Sequence, residues 1–389
     1  MFLRIIVASA LLLQLSACQT IEQRSEQVEK VPLPNLKNEL VLERLWQTDA
    51  GSGSKPWLRL NLAENKAALF TADETGRVFG LDKAQGKKIW QYKACDKKQR
   101  QITSGPAADQ ETVVFASRDV SLSALSVLDG NLKWNQKLAA EVLAPGLVHE
   151  GLIYVVTLDS AITALKATDG RVVWKHVGLA PALQLRRAAQ PIIVGDQLIV
   201  GLANGHLISF QAKTGLINWD KEVAFPKGDL ETDRMVDIAA NPIYRDGKIF
   251  VSAYRGATKA LNLKTGDTLW GRSDISTYSS LGAHGNSVLV SDLRGNIWSL
   301  DAKNGETQWK QNALQGRIFS PAAYLESQKV WVLGDNEGYL HALDQKGGFL
   351  ARWKLDSKGI EASPILDQGL LYVLGRSGNV YALQISKSS

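Results

Sequence analysis

The phrase LDAKNGETQW at 300–309 recurs with small changes along nearly the whole chain. LDKAQGKKIW stands at 81–90, LSVLDGNLKW at 125–134, LKATDGRVVW at 165–174, FQAKTGLINW at 210–219 and LNLKTGDTLW at 261–270. LDQKGGFLARW at 343–353 carries one extra residue before its Trp. A period of roughly 40–50 residues decides the fold before any single motif does, because each unit must bury its apolar face on its neighbours. The 389 residues could hold two or three ordinary domains, but a sustained repeat makes them one.

Each part of the phrase has its own physical task. The Gly four residues before the Trp suits a tight turn that needs positive φ, with Asp, Asn, Thr or Lys beside it. The Trp is too large to stand in water at every repeat and must dock on something. Upstream lies a further hairpin, as in PIIVGDQLIVGLANG (191–205), PIYRDGKIFVSAYRG (242–256) and PILDQGLLYVLGRSG (364–378). A Pro opens a short strand, a Gly/Asp turn follows, and the next strand is rich in Val, Ile and Tyr. The unit therefore reads as four short antiparallel strands without a helix, which is the mark of a β-propeller.

The repeat tryptophans are Trp46, Trp90, Trp134, Trp174, Trp219, Trp270, Trp309 and Trp353, which predicts eight blades. The last unit, SPILDQGLLYVLGRSGNVYALQIS, supplies three strands and no Trp, whereas LVLERLWQT at 40–48 is a lone strand with a Trp and no unit before it. The economical expectation is an all-β, eight-bladed propeller over 40–386 whose N-terminal strand completes the last blade. Closure of that kind protects strand edges that would otherwise pair with other chains.

The first 17 residues read as a signal peptide, with Arg4, an apolar run from Ile5 to Leu13, and small residues after it. The run is too short for a membrane-spanning helix. Leu15-Ser16-Ala17-Cys18 resembles the lipobox of bacterial lipoproteins, which implies cleavage before Cys18 and acylation of that residue. Ordinary cleavage with an unmodified Cys18 is the alternative. Gln19 is not the Asp that resembles an inner-membrane retention signal, which points to the outer membrane. Residues 18–39 are polar with two prolines and read as a flexible tether. With Cys18 lipidated, Cys95 has no partner for an internal disulfide. The hydrophobic fraction of 45% and charged fraction of 22% are those of a soluble globular protein. The basic run at 93–100 has no aromatic platform or nucleic-acid motif beside it and reads as a solvated loop, so no nucleic-acid partner is expected.

The pattern A-L-D-x-x-x-G-x-x-x-W resembles the tryptophan-docking repeat of the pyrroloquinoline-quinone dehydrogenase propellers. That resemblance implies a quinone and calcium in the central funnel, typically under a disulfide of adjacent cysteines. This chain has no Cys-Cys pair and no local carboxylate cluster suited to calcium, so no cofactor is expected. The lipobox, tether, lone Trp strand and seven and three-quarter repeats together resemble the family of the outer-membrane protein assembly factor BamB over essentially the whole chain. The resemblance implies a non-enzymatic, lipid-anchored scaffold on the periplasmic face of the outer membrane. It would bind the periplasmic domains of the barrel protein BamA and assist insertion of outer-membrane proteins. The alternatives are a periplasmic quinoprotein dehydrogenase and an envelope lipoprotein that binds a polymer.

In a propeller, the links from one blade's outermost strand to the next blade's innermost strand share one face. Three links depart from the minimum: 93–105, 177–190 and 220–241, the last accounting for the longest Trp spacing. The second is apolar with a basic pair, through Leu183, Leu185, Arg186 and Arg187. The third is acidic, through Asp229, Glu231, Asp233 and Asp237. From the residues alone, the leucines could tuck under the loop while Arg186 pairs with an acid of a neighbouring link. The BamB resemblance instead implies that Leu183, Leu185, Arg186 and Asp237 contact BamA, with Ala239 standing where the family has a second acid. Leu185 and Arg186 rank first on that reading.

The five histidines show no HExxH or close pairing, and no G-x-S-x-G, Walker or G-x-G-x-x-G phrase occurs. Trp57, Trp298 and Trp331 fall outside the repeat position and read as packing residues. Exposed outer strands would allow unfolded outer-membrane proteins to add at an edge, although no particular residue argues for it.

Overall fold

A computed structural model describes residues 28–55, 58, 60–94 and 101–387. The signal peptide 1–17, Cys18, Trp57 and Cys95 lie outside the described residues. Among the described residues there is no α-helix, and none long and apolar enough to cross a membrane. The strands assemble into eight four-stranded sheets. Each is antiparallel, and seven run in simple chain order from the innermost to the outermost strand.

The eighth sheet closes the ring. Leu40–Asp49 pairs antiparallel with Asn379–Lys387, from Leu40 opposite Lys387 to Asp49 opposite Asn379. The last unit thus takes its outermost strand, with Trp46, from the beginning of the chain, as the repeat count predicts. Burial follows strand position within a blade. The second strand of blade 1, Ala68–Ala72, is buried throughout, whereas the outermost strand of blade 2, Leu132–Lys137, is almost wholly exposed. The two middle strands are covered on both faces, and second strands such as Val330–Gly334 carry nearly continuous apolar runs.

The core is divided among the seams between blades. One apolar cluster joins blades 5 and 6 through Phe250, Ala260 and Trp270 against Leu281, Val288 and Leu300. Another joins blade 8 to blade 1 through Tyr372 and Val380 against Leu69, Phe79 and Leu81, with Trp46 beside them. Eight such clusters, one for each seam, are found among the described residues.

The repeat phrase explains how seams lock. Trp90, Trp134, Trp174, Trp219, Trp270 and Trp309 each reach the following blade, where the indole Nε1 donates to the backbone oxygens of Val127, Ala167, Ala212, Leu263, Ala302 and Gln345 at 2.7–3.2 Å. Each indole, and that of Trp46, covers the glycine of the next phrase: Gly130 has φ +70, and a Cβ there would lie 2.6 Å from the Trp90 ring. Glycine is required twice over, for its left-handed backbone and for the close approach of the ring. Trp353 is the exception and has no docking glycine. The turn that would carry it should join the third and fourth strands of blade 8, where the two chain ends meet instead.

Residues 28–39, read above as part of a flexible tether, lie along blade 7. The Val31 N–H donates to Gln315 O at 3.1 Å, and buried Arg317 donates to Val31 O at 2.8 Å. Lys30 pairs with Glu337, Arg352 donates to Pro34 O at 2.8 Å, and Leu33 packs on the cluster between blades 6 and 7. Buried donors and acceptors on blade 7 give this polar segment partners that its composition does not advertise.

Candidate functional site

The outermost-to-innermost links and the turns between the second and third strands share one face of the ring. Link 178–191 leaves the strand Val172–Val177 of blade 3 and enters Ile192–Val194 of blade 4. It has no regular structure, and side chains and turns hold it from several directions. Gln184 Nε2 donates to Leu158 O at 2.8 Å, in a turn of its own blade. Arg186 Nη2 makes a forked contact with Glu141 of the preceding link at 2.6 and 2.8 Å. The Leu185 N–H donates to Asp237 Oδ1 of the following link at 2.8 Å, and the Gln190 N–H to Asn241 Oδ1 at 2.9 Å.

Each predicted site residue has a definite setting. Leu183 is 41% exposed, Arg186 is exposed, and Leu185 is half-buried. Asp237 is only 1% exposed, so it stands beneath the link instead of on its surface. Burial pushes its carboxyl up to about 6, against the opposing effect of the Leu185 N–H, and its Oδ2 has no hydrogen-bond partner among the described residues. Ala239 is fully buried as well, so an acid at that position would not reach water. Leu183, Leu185, Arg186 and Asp237 are thus brought together, with two of them presented outward and Asp237 supporting from below. Arg186 does pair with an acid of a neighbouring link, but the acid belongs to the preceding link.

The third long link, 223–242, divides in two. Val236, Ile238, Ala239 and Ala240 are buried, while Phe225 and Leu230 are exposed and Asp229, Glu231 and Asp233 face outward. Asp233 pairs with Arg255 at 3.2 Å and Glu231 with Arg234 at 3.7 Å. With Leu179, the two links expose four large apolar side chains among mixed charges, which is the composition of a protein-binding surface.

Arg187 was noted in the sequence only as half of a basic pair, yet it holds the centre of this face. Its guanidinium meets Glu361 at 3.0 Å, lies 5.1 Å from the Tyr278 ring centre, and Glu361 also accepts from Arg376 at 3.1 Å. Glu361 belongs to the link between blades 7 and 8, half a ring away, so the pair spans the channel mouth. Three cavities around this mouth, among the described residues, are about 10–20 Å³ each, whereas a pocket for a quinone-sized ligand needs about 300 Å³ or more. No group of three His, Cys, Asp or Glu suited to a metal occurs among the described residues. The residues present do not fit a quinone with its calcium ion.

The remaining sequence candidates are structural. Trp331 is buried against Tyr324 at a ring separation of 5.0 Å, and Trp298 donates to Asp292 Oδ2 at 2.8 Å. His341 is fully buried and sits 2.9 Å from Asp335. No pattern in the sequence marks Asp237 as buried, and the signal for Arg187 would have been a basic residue opposite an acid four blades on.

Residues 74–311 match the family model described as "Outer membrane protein assembly factor BamB". A protein of that name from Yersinia pestis is 29% identical over 377 residues, covering 95% of each chain. Among solved structures, BamB from Moraxella catarrhalis superimposes with a TM-score of 0.80 at 23% identity, covering 88% of this chain and 100% of that one. The quinohemoprotein alcohol dehydrogenase from Comamonas testosteroni aligns with a TM-score of 0.65 at 13% identity, over 88% of this chain and 76% of its own. The last two likenesses concern the fold alone.

Proposed function

The chain belongs to the outer membrane protein assembly factor BamB family, and from that premise we propose that it is a scaffold that presents its link face to a BamA-like barrel protein. It acts in outer-membrane protein assembly in the cell envelope. Cys18 carries lipid and holds the propeller on the periplasmic face of the outer membrane. The partner's periplasmic domains dock on link 178–191, with the Leu183 side chain as apolar anchor and the Arg186 guanidinium as paired donor. Leu185 and Asp237 hold the backbone between them. Nascent outer-membrane proteins are the client class.

The observation that carries this reading is a link with exposed leucine and arginine whose backbone is held at Leu185 and Gln190 by Asp237 and Asn241, and whose Gln184 and Arg186 side chains are held by Leu158 O and Glu141. Such prior order removes part of the entropic cost of binding.

The test is a pull-down from envelope extract with wild type, Leu183→Ala and Arg186→Ala. Wild type should recover a BamA-like barrel, and each variant should lose tenfold or more in affinity. Failure of the wild type to recover such a barrel refutes the partner. Equal recovery by all three moves the surface elsewhere.

A further inference from the structure

The face opposite the links contains two seams that share a backbone but differ in side chains. At the seam of blades 3 and 4, Glu150 (φ 46) and Gly151 (φ 75) turn the first hairpin, and Lys213 of the next repeat phrase pairs with Glu150 at 3.0 Å. At the seam of blades 5 and 6, Asp246 (φ 47) and Gly247 (φ 76) make the same turn. Lys303 of LDAKNG occupies the place of Lys213 in FQAKTG. Aspartate is one methylene shorter than glutamate, and no ion pair between Asp246 and Lys303 is formed among the described residues.

Two further substitutions add charge. The hairpin register sets His149 opposite Leu152 in blade 3 and Arg245 opposite Lys248 in blade 5, so Arg245 and Lys248 replace a His and a Leu. The outcome is a cavity of about 220 Å³ lined by Arg245, Lys248 and Lys303, with Phe250 on its floor and Asn286 and Asp246 at its edge. Arg245 is fixed, with Nε donating to Gly285 O at 3.1 Å and lying 3.5 Å from Asp246. Neither the Lys248 nor the Lys303 ammonium has an ion-pair partner among the described residues. Asp301, next to Lys303, is engaged by Asn286 Nδ2 and by the Lys303 N–H at 2.8 Å. Three cations thus face one cavity, and the carboxylates near them are Asp246 and Asp301, the latter held, against desolvation, below the usual carboxylate range by hydrogen bonds and by the Lys303 charge.

We propose that this cavity binds a small phosphorylated anion. The volume lies below the usual ligand range of about 300–1,000 Å³, which suits a compact anion of one or two phosphoryl groups. An arginine fork with two ammonium groups matches the several oxygens of such a group. The cavity is on the face away from link 178–191, and the inference does not depend on the partner proposed for that link.

The probes are inorganic pyrophosphate and dihexanoyl phosphatidate below its micelle concentration, titrated by calorimetry into the purified protein. Wild type should bind pyrophosphate, more weakly as salt rises. Lys248→Leu, which restores the blade 3 residue, should lose tenfold or more. Asp246→Glu should lose as much by reaching Lys303 and closing the seam, in a turn whose backbone already accepts Glu at the equivalent place. Leu183→Ala should bind like wild type. Tighter binding of phosphatidate assigns the site to a lipid headgroup, and equal or weaker binding assigns it to a free phosphate compound. Both results support the proposal. No heat with wild type at millimolar pyrophosphate, or wild-type affinity retained in Lys248→Leu and in Asp246→Glu, overturns it.

Discussion

Two glycines with the same backbone angle separate the parts of the tryptophan lock. Gly305 and Gly151 both have φ +75. A Cβ on Gly305 would lie 2.6 Å from the Trp270 ring, whereas a Cβ on Gly151 would meet nothing within 4 Å. Replacing either by Ala forces an L-residue into the left-handed region, at roughly 1–2 kcal/mol. Only Gly305→Ala must also displace an indole, which adds about 1–3 kcal/mol of overpacking. It further weakens the 3.2 Å bond from Trp270 to Ala302 O, a loss of about 1 kcal/mol. Urea unfolding followed by circular dichroism should therefore show Gly305→Ala less stable by roughly 3–6 kcal/mol and Gly151→Ala by roughly 1–2 kcal/mol. Equal losses would mean that the indole moves aside freely, and the docking role assigned to all seven paired tryptophans would fail with it.

Asp237 should give the fold a pH dependence of unusual sign. Its carboxyl sits near 6 when folded against 3.8 for the free group, so the folded state keeps a proton that the unfolded state releases. Stability conferred at acid pH is then lost as pH rises from about 4 to 6, and wild type should fall by about 2–3 kcal/mol relative to Asp237→Asn across that window. Parallel curves in urea titrations at each pH would refute the buried-carboxylate reading. Arg187→Met removes one of the two arginines on Glu361 and should destabilise the protein by about 2–3 kcal/mol, with faster amide exchange at 183–187 by mass spectrometry. Unchanged exchange there would show that the channel-mouth pair does not brace the link.

The ring was readable because its information is repeated. Trp, Gly and the preceding Leu recur at fixed distances, and the unmatched Trp46 strand and the Trp-less final unit had only each other as partners. Trp353 shows the limit of that reasoning, since its own residue fits the phrase while its missing receptor is a property of the neighbouring blade. The site was legible only in part. Leu183 and Arg186 stand exposed on the link as its composition suggests, but a loop aspartate looks the same in sequence whether it faces water or lies beneath a link. Asp237 is buried because the flanking Val236 and Ile238 dock inward. The Arg187–Glu361 pair joins positions 174 residues apart, and no local pattern can announce it. Residues 28–39 read as tether because their own composition is polar, and the acceptors and donors that hold them belong to blade 7.

Gln47 and Asn379 touch across a sequence gap of 332 residues, which gives the molecule a definite order of assembly. Blades 1 to 7 can each form from strands close in sequence, while the earliest strand waits until the final hairpin has emerged. Bringing such distant ends together costs roughly 5 kcal/mol of chain entropy beyond a constant, so the last sheet to zip is also the least local. Blade 8 alone lacks a peptide link between its third and fourth strands, and it is therefore the single place where this wheel can be opened or reassembled without cutting the backbone.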